Sequence, residues 1–457
     1  MLKKLRSKVK TYLPWLATVI ILLIVVNTRQ KVILLRMDNQ NNWWPTSKTA
    51  VTSLLKYHVT PKTSKLRHWS NIDQENYYFK TPVTFPVDVR GSKSEKLQFA
   101  LSKASHKVTI LLWYAPFSRK YNREVNAKEC GACEITYDRK KINQSSTRAV
   151  VFHFSELAID TMPSSRNRHQ YYVWWSEESP NSLFEVRNLH LGQYNNVFNL
   201  TMTYRRDSDI YAPYGTAENS YRYLLKDGTD RQDKKELFAV ARKKKKFAMW
   251  ITSSCGTRRG ANKRMRFVKI LTQRGLKLDK FGSCFSAPYI GPDKMENFIK
   301  NYKFYLAFEN VENCKDYVSE KFFTNALMYG AVPVVYGARK SDYDAVAPPK
   351  SYIYAKDFTV DELVAYMNYL DTNTTAYLEY FHWRTLPMDK MPNYGRKTKW
   401  CQLCRMLYGI DVDTSPPLNL SDLISGTQAY GFSPRPRVVP SIREWFYGQE
   451  SEECLSG

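Results

Sequence analysis

Between Tyr302 and Gly337 the chain reads YKFYLAFENVENCKDYVSEKFFTNALMYGAVPVVYG, and no other stretch limits the possible folds as much. An apolar run of strand length passes into a polar loop, then a helical pattern, then a second apolar run. That is the order of a β-α-β unit whose two parallel strands are buried on both faces. The alternation recurs along the chain. KVTILLWYAPF (Lys107–Phe117), RAVVFHF (Arg148–Phe154) and QYYVWWSEESP (Gln170–Pro180) read as strands with polar tips, and SELAIDTMP between the last two carries only a short helical pattern. Farther on, KKELFAVAR is helical, Phe247–Thr252 is a strand, and ANKRMRFVKILTQRG is an amphipathic helix with Gly275 as its C-cap. MENFIKNYKFYLAF joins a helix to a strand, and TVDELVAYMNYLDTN is a helix. Strands alternating with helices predict parallel α/β layers, in two halves for a chain of 457 residues.

The N-terminus predicts a membrane attachment. MLKKLRSKVK precedes an apolar run, Thr11–Val26, of about 16 residues, shorter than the roughly 20 that cross a bilayer. NTRQKVILLR follows, without the small-x-small pattern of a cleavage site, so an uncleaved signal anchor is expected. The excess of basic residues before the run leaves residues 1–10 as a cytosolic tail, 11–26 as the anchor and the bulk of the chain in the lumen. A short span suits the thinner early-secretory membranes. Residues 27–105 are polar and weakly periodic and read as a stem.

A lumenal body gives meaning to other features. Asn143, Asn199, Asn373 and Asn419 begin Asn-x-Ser/Thr sequons and are expected to carry glycans. Cys130-x-x-Cys133 and Cys401-x-x-Cys404 would read as a four-cysteine zinc site in the cytosol; in an oxidising lumen disulfides are the expectation, tying the two ends of the folded body together. The spacing does not say which cysteine pairs with which, nor where Cys255, Cys284, Cys314 and Cys454 go. The net charge of +26 implies an anionic partner without identifying it. A lumenal body makes a nucleic-acid partner an unsuitable reading.

In open parallel sheets, ligands bind beyond the carboxyl ends of the strands. Glu309 and Asn310 stand at such an end, Ser319 can cap the next helix, and Lys321 adds a positive charge at its first turn. This predicts a site for a phosphorylated ligand. The chain has neither a Walker A loop nor a G-x-G-x-x-G, which argues against an NTPase or a dehydrogenase.

These residues also carry a resemblance. YKFYLAFEN, DYVSEK, NAL and VPVVYG, together with APPKSYIYAKDF and FNLTMTYRRDSDIYAPYG, resemble the donor-binding signature of the α1,3-fucosyltransferases over about Leu111 to Leu407. That is an inverting Golgi family with the two-domain GT-B fold. The resemblance implies an α/β chain with two Rossmann-like domains facing a cleft: an acceptor-side domain at 106–245, a GDP-fucose domain at 246–398, and a segment 399–457 tied back by disulfides. It implies that Asn310, Tyr317, Glu320 and Lys321 contact GDP-fucose, with Glu320 on ribose hydroxyls and Lys321 on the diphosphate. Arg264 is the second diphosphate cation, with Arg258 and Arg259 as alternatives, since GTRRGAN departs from the family spacing. In VWWSEESPN the catalytic base falls at Glu178, with Glu177 beside it as the alternative. No metal is strictly required, with Mn2+ or Mg2+ as stimulants at most. Asp207 and Asp209 imitate a D-x-D motif but are expected to be structural. A role for His153 in placing the acceptor would follow from the family's nearby His-His motif, but FHFSE matches it poorly, and a satisfied core histidine is the expected reading. The implied product is an α1,3-fucosylated N-glycan, made by a single-pass type II Golgi membrane protein. SSCGT, FGSC and ENCKDYVSEK resemble the branch that modifies the innermost, Asn-linked GlcNAc. Transfer to outer lactosamine is the alternative, and a tethered glycan binder without activity a remote one.

Overall fold

The computed structural model describes residues 35–37, 43–45, most of 108–407, 438–447 and Cys454. The tail 1–10, the apolar run 11–26, nearly all of the stem, Arg258 and the sequon at Asn419 lie outside the described residues. Among the described residues no helix is long and apolar enough to cross a membrane. In the N-terminal unit, Leu35–Met37 (β1) and Trp43–Pro45 (β2) pair antiparallel, with Arg36 opposite Trp44.

The unit from Glu75 onward contains two parallel sheets. The first comprises β3 (Val108–Leu112), β4 (Cys133–Thr136), β5 (Thr147–His153), β6 (Tyr171–Ser176), β7 (Leu200–Thr203) and β8 (Ile210–Tyr211), in the order β4-β3-β5-β6-β7-β8. The second comprises β9 (Lys246–Ile251), β10 (Leu278–Phe281), β11 (Tyr302–Phe308), β12 (Val332–Tyr336) and β13 (Ile353–Tyr354), in the order β10-β9-β11-β12-β13. This is the α/β architecture expected from the alternating pattern. In each sheet the winding reverses once, between β3 and β5 and between β9 and β11, which opens a crevice at the carboxyl ends of those strands.

The strand sequences explain their burial. β3, β5 and β6 are buried on both faces, which is why they read as unbroken apolar runs. In β11, Phe304, Leu306 and Phe308 pack on one face of the sheet and Tyr305 and Ala307 on the other. The helices covering the first of these faces have clear ends. Lys234–Lys243 (α1) is capped by Asp233 with a reciprocal bond from Glu236. Arg259–Gln273 (α2) buries Val268 and Leu271 and stops before Gly275, whose φ of +92° suits glycine. Val360–Thr372 (α3) is capped by Thr359 with Glu362.

After the second sheet the chain returns to the first. Lys399–Leu407 (α4) packs Trp400, Leu403 and Met406 against Ile110, Leu112, Val151 and Val173. Gln402 clamps the edge strand β8, accepting from Tyr211 N and donating to Tyr211 O, both at 3.0 Å. Ile442–Tyr447 (α5) lies beyond it, with the carbonyls of Trp445 and Phe446 receiving the Arg205 guanidinium.

The cysteines are all paired: Cys130–Cys401, Cys133–Cys404, Cys255–Cys284 and Cys314–Cys454. The two C-x-x-C pairs therefore join each other as disulfides, and the expected link between the ends of the body is present. Both bonds close loops with a sequence separation of 271. Once one is closed, the other constrains little further chain. Removing either pair alone (Cys130→Ser with Cys401→Ser, or Cys133→Ser with Cys404→Ser) is expected to cost much less stability than removing both. The quadruple variant should lose about 2–5 kcal/mol. Denaturant melts of the three variants check this; equal, additive losses would contradict it.

Candidate active site

The β9/β11 crevice holds a cavity of about 590 Å3. Thr252, Ser253, Ser254 and Cys255 line it from the end of β9, Asn310 from the end of β11, and Arg264 from α2. Glu320, Lys321 and Asn325 complete the wall. α2 begins just past the β9 loop, so its unpaired N–H groups stand where a βα turn receives an anion. Gly260 makes this approach possible: a Cβ there would lie 2.1 Å from Asn310 O. The second glycine of GTRRGAN thus has a packing reason.

Arg264 is 2% exposed and is held by Nη1 donating to Phe308 O and Nη2 donating to Thr252 Oγ1, both at 2.7 Å. Its Nε is buried and has no hydrogen-bond partner among the described residues. Burial lowers its pKa, partly opposed by Glu309. Lys321 opens a π-helical segment, Lys321–Met328, and its Nζ lies 3.0 Å from Glu320 Oε1 and 3.3 Å from Glu309 Oε2. Burial would lower the lysine pKa, but the two carboxylates prevail and raise it. Lys321 in turn outweighs burial at Glu320 and holds that carboxyl below its ordinary range. At Glu309 burial wins and raises the pKa.

Glu309 is the organiser of this wall. It accepts from Ser319 N and Ser319 Oγ, both at 2.8 Å, and faces Lys321. Gly337 gives it room, since a Cβ there would meet Glu309 Cβ at 2.6 Å. The Ser319 hydroxyl, expected to cap the helix, donates to Glu309 and receives the Lys321 N–H at 3.4 Å.

Tyr317 stands apart from the cavity lining. It is 1% exposed, with its ring edge-on to Tyr204 and Tyr214, and its hydroxyl lies 3.3 Å from Glu178 Oε2. Glu178 follows the carboxyl end of β6, so the candidate base and the loop after β11 meet between the two sheets. The same loop is pinned next door. Asp316 accepts from Arg206 N at 2.9 Å and from Arg206 Nε at 2.6 Å, and Lys315 Nζ donates to Asp207 Oδ2 at 2.8 Å. Asp207 also receives Arg205, and Asp209 accepts from Thr201 N and Oγ1, so both acidic residues of the D-x-D imitation are occupied by protein partners. Glu177, the alternative base, is paired with Lys399. His153 is 2% exposed, with Nδ1 at 2.6 Å from Ser155 Oγ. Of the sequons, Asn143 is exposed, and Asn373 caps Ala376 N while partly exposed. Asn199 is 1% exposed, and its Oδ1 accepts from Tyr172 N at 2.8 Å.

The chain matches two family models: "Fucosyltransferase, N-terminal" over residues 105–215 and "Glycosyltransferase family 10 (fucosyltransferase) C-term" over residues 241–415. A 3-galactosyl-N-acetylglucosaminide 4-alpha-L-fucosyltransferase FUT3 of Bos taurus is 31% identical, over 76% of this chain and 83% of that protein. The chain belongs to glycosyltransferase family 10, the fucosyltransferases. It is 33% identical to glycoprotein 3-alpha-L-fucosyltransferase A of Drosophila melanogaster, over 67% of this chain and 58% of that longer protein. It is 34% identical to 4-galactosyl-N-acetylglucosaminide 3-alpha-L-fucosyltransferase FUT6 of Homo sapiens, over 65% of this chain and 77% of that one. A crystal structure of an alpha1,3-fucosyltransferase with GDP-fucose aligns at a TM-score of 0.41 and 18% identity, covering 69% of this chain and 92% of that one.

The fucosyltransferase thus gathers Arg264, Asn310, Glu320 and Lys321 around one cavity and sets Tyr317 behind it, against Glu178. Arg259 begins α2, and Arg258 lies outside the described residues. Reading along the sequence did not assign roles to Asp316 and Arg206, although each stands beside a residue the sequence had singled out. Replacing Glu309 by Ala should take from Lys321 its buried carboxylate, leaving it Glu320 alone, and leave the Ser319 N–H unpaired in a buried site, at a cost of about 3–5 kcal/mol. Denaturant unfolding measures it; a loss under about 1 kcal/mol, the scale of an exposed pair, would contradict the organising role.

Proposed function

We propose that this fucosyltransferase moves L-fucose from GDP-β-L-fucose, in α1,3 linkage and with inversion, to the Asn-linked core GlcNAc of N-glycans. The observation that carries the reading is the facing pair: a cation-bearing crevice at the β9/β11 reversal and the Glu178 carboxylate beside its loop. The diphosphate sits at the start of α2 between Lys321 and Arg264, Glu320 takes ribose hydroxyls, and Asn310 closes the side. Glu178 accepts the proton of the attacking hydroxyl on the face opposite the departing GDP. As the bond from fucose C1 to the β-phosphate oxygen breaks, its electron pair goes to the diphosphate, where Lys321 and Arg264 meet the growing charge. In this reading the body lies in the Golgi lumen, carried by the anchor at 11–26. The disulfides are compatible with such an oxidising compartment.

Support for the core acceptor comes from the cysteines that carry that branch resemblance. Cys255–Cys284 and Cys314–Cys454 lie at the cavity wall and in the donor loop. The second reading, transfer to outer lactosamine, draws support from the identity to proteins named as acting on galactosyl-N-acetylglucosaminides.

Glu178→Gln should lower kcat by about 10²–10⁴-fold, while isothermal titration finds GDP affinity unchanged. Wild-type turnover would move the base to Glu177. For the acceptor, mass spectrometry of products from an N-glycopeptide with an exposed core and from free lactosamine should find fucose on the innermost GlcNAc of the first. Efficient transfer to lactosamine alone would replace the core assignment and leave fucosyl transfer standing.

A further inference from the structure

A second cavity of about 590 Å3 is lined by Lys235, Phe238, Ala239, Arg242, Lys243 and Lys245, and it shares no residue with the cavity at the β9/β11 crevice. Lys245 immediately precedes β9, whose carboxyl end lines the first cavity, so the two openings stand apart by about the length of that strand, roughly 20 Å. The helical period builds the wall. Leu237 and Ala241 of α1 pack into the core, which turns Lys235, Phe238 and Arg242 outward along one stripe. Past α1 the basic run is fixed in place. Lys244 turns inward and donates through Nζ to Lys300 O at 3.1 Å and to Tyr302 O at 3.0 Å, and Lys246 pairs with Asp279. Lys245 N is held by Asn301 O at 2.9 Å. Arg242, Lys243 and Lys245 are left exposed at the cavity. Among the described residues neither these three nor Lys235 forms an ion pair, and no carboxylate lines the cavity. The acidic residues of α1's first turn, Asp233 and Glu236, are engaged with each other's backbone N–H groups. Phe238 stands among the four cations and is 40% exposed.

We propose that this wall is a binding site for a linear sulfated polysaccharide, separate from the site of fucosyl transfer. Four unpaired cations with no carboxylate among them call for a polyanion. Their layout chooses among polyanions. From Lys235 to Lys243 the helix rises about 12 Å, and Lys245 continues past its end, so the charges follow a line. A line of cations suits a polymer that carries an anionic group on successive units better than it suits one compact anion. The recess favours a strand that can lie within it over a flat bilayer surface. Phe238, set within the line, offers an apolar ring to the C–H face of a sugar, a contact for which an acidic peptide has no counterpart. Arg242 supplies a planar fork of N–H donors for anionic oxygens. Because the backbone at Lys244–Lys246 is already fastened, these cations need little ordering before a ligand arrives.

Heparin is the probe, titrated into the full chain in neutral detergent at fixed salt. Replacing Arg242, Lys243 and Lys245 together by Ala should weaken its Kd about 10-fold and make the dependence of log Kd on log salt shallower by about 2. A control that removes the same charge from exposed positions elsewhere, Lys140→Ala with Lys294→Ala and Lys350→Ala, should stay within about 2-fold of wild type. Phe238→Ala should weaken binding about 3-fold and leave the salt dependence as it was. Footprinting of the unaltered chain makes the test independent of how the variants fold: heparin should shield Lys235, Lys243 and Lys245 from acylation and leave Lys140, Lys294 and Lys350 labelled. Equal weakening in the two triple variants, or uniform shielding, would overturn the site and leave only diffuse attraction to the net charge. Displacement of heparin by polyglutamate at equal charge would overturn the polysaccharide in favour of an acidic peptide. Binding to phosphatidylserine vesicles that is tighter than binding to heparin, and lost with Arg242, Lys243 and Lys245, would overturn it in favour of a lipid surface.

Discussion

The Asp316–Arg206 pairing is the constraint on which the candidate site depends. One buried carboxylate receives both a backbone N–H and a guanidinium from the loop after β7, and so fastens the two α/β halves at one point. Asp316 has a φ of +61° and Asn313 one of +56°, conformations that non-glycine residues adopt at some cost. The surroundings overdetermine both. Arg206 also faces Asp342 at 3.6 Å, Lys315 holds Asp207, and Asn313 N donates to Gly337 O at 3.0 Å. A loop anchored at so many points places Tyr317 and Lys321 without help from its own secondary structure.

The cavity is not a simple positive pit. Arg264 and Lys321 are matched by Glu309 and Glu320, so the charges of the protein wall are close to balance. Glu309 is buried and fully used by Ser319 and Lys321, whereas the Glu320 side chain remains 47% exposed. The first keeps the lysine ammonium at a fixed place, and the second is the one able to exchange its partner for a ligand hydroxyl. Preorganised charges of this kind need little rearrangement as negative charge develops on a leaving group.

Much of this was legible in the chain, for reasons that differ from element to element. β3, β5, β6, β11 and β12 are buried on both faces, and unbroken apolar runs announce them. β4 and β10 are edge strands with partly exposed residues, so CEIT and LDKF carry neither an apolar run nor a clean alternation, and they were not foreseen. The π-helical form of Lys321–Met328 has no compositional mark, since the same residues would suit an α-helix. Glu309, Glu320 and Lys321 are close in sequence, and their mutual geometry followed from a strand end and a helix start. The partner of Tyr317 could not be read this way, because Glu178 comes from the other sheet. The sequon at Asn199 likewise looks ordinary in one dimension, and only the fold shows that its amide oxygen is bonded to Tyr172 N beside the β6/β7 pairing.

The bond between Cys314 and Cys454 gives the molecule an order of completion in time. A growing chain exposes its C-terminal portion last, so the loop after β11 is made long before the cysteine that fastens it. Both crossings from Cys130 and Cys133 likewise wait for residues about 270 positions later. Until residue 454 has left the ribosome, the loop bearing Tyr317 and Lys321 lacks its covalent tether, however well the two sheets have formed. The covalently complete site is therefore a product of the whole chain, and its last fastening is a redox step and not a packing step.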